Sequence, residues 1–270
     1  MTAPLLKVEN LVKHFPITGG LLGRVVDRVH AVDGVSFELA AGETLGVVGE
    51  SGCGKSTVAR LLVGLYRPTR GSVRFDGQAT AEVQDAAKLR QLRRRMQMIF
   101  QDPYASLNPR WPVLQIVGEP LLEHGLAQPG DELRARVAAL LQSVGLAAAD
   151  CEKYPHQFSG GQRQRICIAR ALMMEPELLV ADEAVSALDV SVQAQVLQLF
   201  EEIKSRLNLA MLFITHDLRV ASQVCDFLAV MSKGKVVEYG AAHQVFGAPQ
   251  HEYTRALFAA APGRDFAFGG

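Results

Sequence analysis

The sequence predicts an α/β fold, with a largely parallel sheet, an antiparallel β-subdomain and an inserted helical subdomain. Three observations lead there. A short apolar strand, Thr44–Val48, runs into the glycine-rich turn Gly49–Thr57, and a helical pattern follows from Lys55. A second apolar strand, Leu178–Ala181, ends in two carboxylates, Asp182 and Glu183. Between them, residues from Asp102 to about Ala169 show helical periodicity broken at Pro103, Pro109, Pro112, Pro120, Pro129 and Pro155.

Taken in order, Leu5–Leu11 alternates enough for a strand, and Pro16–Gly23 reads as a loop or hairpin excursion. Val29–Leu39 reads as a second strand, and Ala41-Gly42-Glu43 as a turn. The helix after the glycine-rich turn spans Lys55–Leu65, and Gly71–Asp76 is a strand closed by Asp76-Gly77. Arg90, Arg93, Arg94 and Arg95 read as a solvated basic helix face. Met96–Phe100 is a strand. Val190–Leu207 is an amphipathic helix with Val192, Val196, Leu199, Phe200 and Ile203 on one face. Met211–Thr215 is a buried strand, and Phe227–Met231 with Lys235–Tyr239 forms a final hairpin.

Composition narrows the class. Of 270 residues, 49% are apolar and 21% charged, which excludes disordered and collagen-like chains. Lys plus Arg and Asp plus Glu are both 28, so no general attraction to nucleic acid is expected. The charge-free run Val137–Ala149 is too short to span a bilayer and reads as buried helix. Lys7 and Glu9 interrupt the apolar N-terminal run, which is unlike a signal peptide, so a cytosolic location is expected. Cys53, Cys151, Cys167 and Cys225 lack C-x-x-C spacing and read as small thiols, buried or half-buried, rather than as a disulfide or metal framework.

Gly49-Glu50-Ser51-Gly52-Cys53-Gly54-Lys55-Ser56-Thr57 fits G-x-x-x-x-G-K-[ST] in the required strand–turn–helix context. Glycines let successive backbone N–H groups turn inward around a phosphate, and the helix start adds its positive end. Lys55 supplies a charge to the β- and γ-phosphates, and the Ser56 hydroxyl is a hard ligand for Mg²⁺. Asp182 can hold Mg²⁺ through water, and Glu183 can act as general base on the attacking water. Ser159-Gly160-Gly161-Gln162 opens another helix with a good N-cap and makes a second anion site. One nucleotide has no need of two γ-phosphate cradles, so this helix start is expected to face ATP held by another subunit.

These motifs, in this order, resemble the nucleotide-binding subunit of an ABC transporter, a P-loop NTPase. The resemblance runs from about Leu5 to Ala261 and brings further elements. Gln101 matches the Q-loop glutamine, which reaches Mg²⁺ or the water. Ser186-Ala187-Leu188-Asp189 matches the D-loop, where Asp189 aligns Glu183 or touches the opposite subunit. His216, 33 residues past Glu183, matches the switch histidine that hydrogen-bonds the γ-phosphate. Phe15 is the best match to the aromatic that stacks on adenine. Two positions depart from the family pattern. Ala184 stands where proline is usual, which leaves the turn after Glu183 looser, and Phe158 stands where leucine is commoner.

Gly49–Lys55, Phe100–Pro109 and Val185–Gln195 resemble the peptide and nickel importer branch, as does the tail Ala248–Leu257, in which Glu252 replaces a proline. The resemblance implies an ATPase domain over residues 1–247, with a helical insertion at about 102–169, and a short tail over 248–270. It also implies a second, unlike ATPase subunit, two integral-membrane permease subunits and, indirectly, an extracytoplasmic peptide-binding protein. The expected place is the cytoplasmic face of the cell membrane, held peripherally, and no nucleic-acid partner is expected. Tyr104, Leu107 and Trp111 would either meet a coupling helix of the permease or pack the helical subdomain. A soluble ABC ATPase acting on nucleic acid or the ribosome, and a monomeric P-loop kinase or GTPase, are the alternatives. The single ATPase unit and the balanced charge weigh against the first, and the Ser-Gly-Gly-Gln element against the second.

Overall fold

A computed structural model describes residues 3–19, 24–83, 85–186 and 188–260. The tip of the excursion (20–23), Ala187 of the D-loop stretch and the end of the tail (261–270) lie outside the described residues. In chain order the elements are β1 (Leu6–Gly19), β2 (Arg24–Leu39), β3 (Thr44–Val48), α1 (Lys55–Leu62), β4 (Arg70–Phe75), β5 (Gln78–Ala79), α2 (Ala86–Arg95), β6 (Met96–Ile99), α3 (Pro103–Ser106), α4 (Val113–Glu123) and α5 (Asp131–Ser143). There follow α6 (Gly160–Leu172), β7 (Leu178–Asp182), α7 (Val190–Leu207), β8 (Ala210–Ile214), α8 (Leu218–Val224), β9 (Phe227–Ser232), β10 (Lys235–Ala241), α9 (Ala242–Gly247) and α10 (Glu252–Ala260). No helix among the described residues is long and apolar enough to cross a membrane.

The chain divides into two compact units, 1–89 with 210–270, and 90–209. In the first, an antiparallel sheet runs β2-β1-β4-β5. A second sheet region has β3 between β8 and β9, parallel to both, with β10 antiparallel on β9. Every residue of β3 and β8 is buried, as continuous apolar runs covered on both faces require. Leu228 and Val230 of β9 pack with Val245, Phe246 and Phe258, so the tail helix α10 belongs to this core. The Phe246 and Phe258 rings stack with centroids 5.0 Å apart.

The first two strands are longer than the sequence pattern indicates. Residues Pro16–Gly19 and Arg24–Arg28 pair as an extension of the β1–β2 ladder. Ile17, Val25 and Val26 there are exposed, so no inward-facing set of side chains marks the extension. The helix predicted to Leu65 ends at Leu62, because Gly64 takes a left-handed φ of 71°.

In the second unit β6 and β7 pair in parallel, with Met96 opposite Leu178 and Ile99 opposite Ala181. The Arg95 guanidinium of the basic cluster grips Glu177 at the mouth of this pair, with 2.7 Å from Nη2 to Oε2. α4, α5, α6 and α7 pack around Val117, Val137, Leu141, Ile166 and Phe200, all fully buried. The apolar run from Val137 supplies the buried side of α5 and then leaves the helix at Gly145, whose φ is 75°. Leu107 is in the core while Tyr104 is 64% exposed, so of these residues only Leu107 follows the packing reading outright. The Arg163 guanidinium lies over the Tyr104 ring, 3.8 Å from its centroid. Cys53, Cys151 and Cys167 are buried and Cys225 is half-buried, all four as free thiols.

Candidate functional site

The residues singled out from sequence fall into two groups, one in each unit. In the first unit β3 delivers the chain into the loop Gly49–Gly54, and α1 carries it away. Gly49 and Gly54 have φ of 148° and 111°. A Cβ at Gly49 would sit 2.2 Å from the Met231 carbonyl oxygen, and one at Gly54 2.1 Å from that of Ala31. Only glycine fits either position. Gly52 also takes a left-handed φ, 79°, but has open space around it. Main-chain bonds tighten the frame: the Gly234 N–H donates to the Cys53 carbonyl at 2.9 Å, and the Thr57 and Val58 N–H groups both reach the Gly54 carbonyl at 3.0 Å. Lys55 and Ser56 open α1, at the positive end of its dipole.

Lys55 is buried, and its ammonium donates to the carbonyls of Gly49 at 2.8 Å and Glu50 at 2.9 Å. Both acceptors are neutral, so the positive charge is held at the loop without an anionic partner among them. Burial pushes the neighbouring Cys53 thiol up, and Lys55 opposes that shift. Phe15 on β1 meets Tyr66 edge to face at 5.3 Å, and the Lys13 ammonium stands 5.0 Å above the Phe15 ring. Tyr66 carried no signal in the sequence, because it lies just past α1 in no motif. His216 is exposed two residues past the end of β8. Its flanks are fixed: the Thr215 N–H bonds to the Val47 carbonyl at 3.3 Å, and Asp217 caps α8 by accepting the Arg219 N–H at 2.9 Å.

A second residue not singled out as functional is Tyr253. Its hydroxyl accepts the Glu50 N–H at 3.2 Å, tying α10 to the glycine-rich loop. Glu238 of β10 holds the start of that tail by accepting the N–H groups of Gln250 at 2.8 Å and His251 at 3.0 Å. Those contacts keep the Glu238 carboxyl below its ordinary range against the opposing effect of burial. The tail was visible in sequence as a resemblance, but the contact crosses 203 positions and left no local pattern.

In the second unit β7 ends on Asp182, 2% exposed, with Glu183 beyond it at a left-handed φ of 50°. Such a φ in a non-glycine residue is strained and persists only where surroundings hold it. Ala184 and Val185 are buried just after it, and the Ser186 hydroxyl donates to the Glu183 carbonyl at 3.0 Å. Gln101, past β6, donates from Nε2 to Glu183 Oε2 at 2.9 Å. The structure thus brings together two of the three residues expected to act in catalysis. Ser159 caps α6: its hydroxyl accepts the Gln162 N–H at 3.3 Å, and the Gln162 side chain returns to the Ser159 N–H at 3.0 Å. The amide oxygen of Gln162 is therefore engaged in the cap, while the Ser159 hydroxyl keeps its hydrogen as a donor. Gly161 lets α6 approach α7, since a Cβ there would lie 2.3 Å from Val192 Cγ1, whereas Gly160 faces open space. Asp189 caps α7, accepting the Val192 N–H at 2.9 Å and the Ser191 hydroxyl at 2.6 Å. The Ser191 bond, then the Val192 bond, holds its carboxyl below the usual range.

Glutathione import ATP-binding protein GsiA of Pectobacterium atrosepticum is 52% identical over 97% of this chain, which covers 42% of that relative. The same-named protein of Escherichia coli O6:H1 is 52% identical over 96% of the chain, covering 41% of the relative. The chain spans about two-fifths of the length of these relatives. Among solved structures, the ATP-binding cassette MJ0796 bound to ADP and Pi superposes with a TM-score of 0.78 at 29% identity, over 88% of this chain and 98% of that one. The protein cbiO1 from Clostridium perfringens, part of the ABC transporter complex cbiONQ, gives 0.77 at 29% identity over 91% of each chain. The family description "ABC transporter" matches residues 32–186, and with these likenesses the chain belongs to the ABC transporter family of ATP-binding cassettes.

Proposed function

We propose that this chain hydrolyses ATP to power an importer of dipeptides or oligopeptides, working in a dimer beneath membrane permease subunits. The observation that carries the ATPase reading is the Gln101–Glu183 hydrogen bond at the end of β7, beside the buried Asp182. The relatives support the cargo class, since glutathione, named in theirs, is a tripeptide. In this reading residues 1–247 are the ATPase domain, with the helical insertion at about 102–169, and 248–270 are a tail. The place of action is the cytoplasmic face of the membrane.

In the proposed site the Gly49–Gly54 turn and the first N–H groups of α1 wrap the phosphates, and Lys55 leaves its carbonyl partners for the β- and γ-oxygens. Phe15 offers a ring face to adenine. Ser56, Gln101 and Asp182 each offer a hard oxygen of the kind that Mg²⁺ takes as ligand. When bound, Mg²⁺ neutralises charge on the phosphate oxygens. Gln101 fixes one oxygen of Glu183, and the other takes the proton of the attacking water. The water oxygen bonds to the γ-phosphorus as the bond to the β-phosphate bridging oxygen breaks, and ADP leaves. His216 donates from its imidazole to a γ-oxygen. Ser159 and the open Gly160 present a hydroxyl and a helix start to the γ-phosphate of the other subunit.

Glu183→Gln tests this. The amide keeps the shape and the contact with Gln101 but takes up no proton. Hydrolysis is expected to fall by roughly 10²–10⁴ while ATP still binds and a dimer accumulates with ATP. Normal turnover in the variant removes Glu183 as the base.

A further inference from the structure

A cluster outside the nucleotide residues has the chemistry of a metal site. His14 on β1 and His30 on β2 are direct partners across the antiparallel ladder, with ring centroids 3.9 Å apart. Asp33 lies three residues further along β2. One ligand atom from each of the three lies within 4.8 Å of the others. The backbone beneath them is fixed, because the His14 N–H donates to Thr69 Oγ1 at 3.1 Å and the Asp33 N–H to the Gly234 carbonyl at 2.8 Å.

We propose that His14, His30 and Asp33 bind one divalent transition ion of the Zn²⁺ type, stapling the β1–β2 hairpin one residue before Phe15. The sharpest support is His14 Nε2, which is buried and has no hydrogen-bond partner. A buried polar atom without a partner is costly, and coordination would relieve that cost. A neutral imidazole offers one ring nitrogen lone pair to such an ion. His30 is exposed and gives the ion a way in.

The surrounding charges select the ion. Arg28 and Arg70 act on His14, and the Lys235 ammonium stands 3.4 Å from Asp33 Oδ2. These cations repel a divalent charge, so an ion held by charge alone, such as Mg²⁺ or Ca²⁺, is disfavoured. Zn²⁺, Co²⁺ or Ni²⁺ gain from bonds to two imidazoles, which hard cations do not. Tetrahedral Zn²⁺ places its ligand atoms about 3.4 Å apart, so the three must draw inward by about 1.4 Å at most. Rotation of the exposed His30 and release of Lys235 supply that movement. A water completes the fourth position.

Zn²⁺ alone, titrated by calorimetry into tag-free, chelator-treated protein, tests the assignment, with Co²⁺ absorbance reporting the ligand geometry. One ion per chain is expected, and the melting temperature should rise by about 5 °C at a hundredfold excess over Kd. His30→Ala, at an exposed position, and the isosteric Asp33→Asn should each weaken binding at least tenfold, while His243→Ala leaves it unchanged. Metal-free melting of each variant near the wild-type temperature shows that the fold is retained. Absence of binding, or equal affinity in both variants as capture at the half-buried Cys225 would give, overturns the proposal.

Discussion

Lys55 shows how a single residue stores a charge in a folded site. Its ammonium is buried on two neutral carbonyls, so the loop carries a cation ready to leave for a better acceptor. Lys55→Ala is expected to cost about 1.5–3 kcal/mol of ATP affinity, or one to two decades, measured by nucleotide titration. Affinity equal to wild type would detach this loop from ATP. The identity of such residues was legible because the phosphate loop is a local pattern whose spacing the chemistry fixes. The partners of those residues were not. Tyr66 against Phe15 and Tyr253 against Glu50 are meetings of distant segments, and periodicity does not reach across them.

Among elements, legibility followed burial. The strands β3, β7 and β8 announce themselves because each is a buried apolar run, interrupted only at its end by Thr44 in β3 and Asp182 in β7. The outer half of the β1–β2 hairpin has its side chains largely in solvent, and its sequence carries no alternation to read. The start of α6 was legible as a cap and proved to be a reciprocal one, with both Ser159 and Gln162 engaged. That cap gives a prediction for the element as a whole. Ser159→Arg removes the hydroxyl and places bulk at the exposed start of α6. If the start of α6 serves the neighbouring subunit, hydrolysis at the partner's nucleotide should be lost while ATP binding at this chain's Lys55 survives. Mixing variant and wild-type subunits and assigning turnover to each site checks it. Loss of ATP binding by the isolated variant chain would place the α6 start at this chain's own nucleotide.

At the scale of the whole molecule, the proposed dimer would give a use to the Ser159 hydroxyl hydrogen and to the open space at Gly160. The isolated chain is therefore expected to turn over ATP slowly, and to gain at least tenfold when a second, unlike ATPase subunit and the permease are added, as read by phosphate release. Full activity from a chain that stays monomeric in sedimentation would return the monomeric alternative. Balanced charge and ordinary composition spoke only against broad classes, because they average over surfaces that differ in what they touch.

The obstacles that make Gly49 and Gly54 obligatory are carbonyl oxygens, of Met231 and Ala31, and the tie from Gly234 to Cys53 is also main chain to main chain. A carbonyl oxygen is common to every amino acid. Substitution at 31, 53 or 231 can change packing or volume without moving the atoms that shape the loop. Mutational tolerance around the phosphate loop should therefore be sharply uneven. A saturation library would find positions 49 and 54 closed to every replacement, and positions 31, 53 and 231 open to several, although all five help to enclose the same turn.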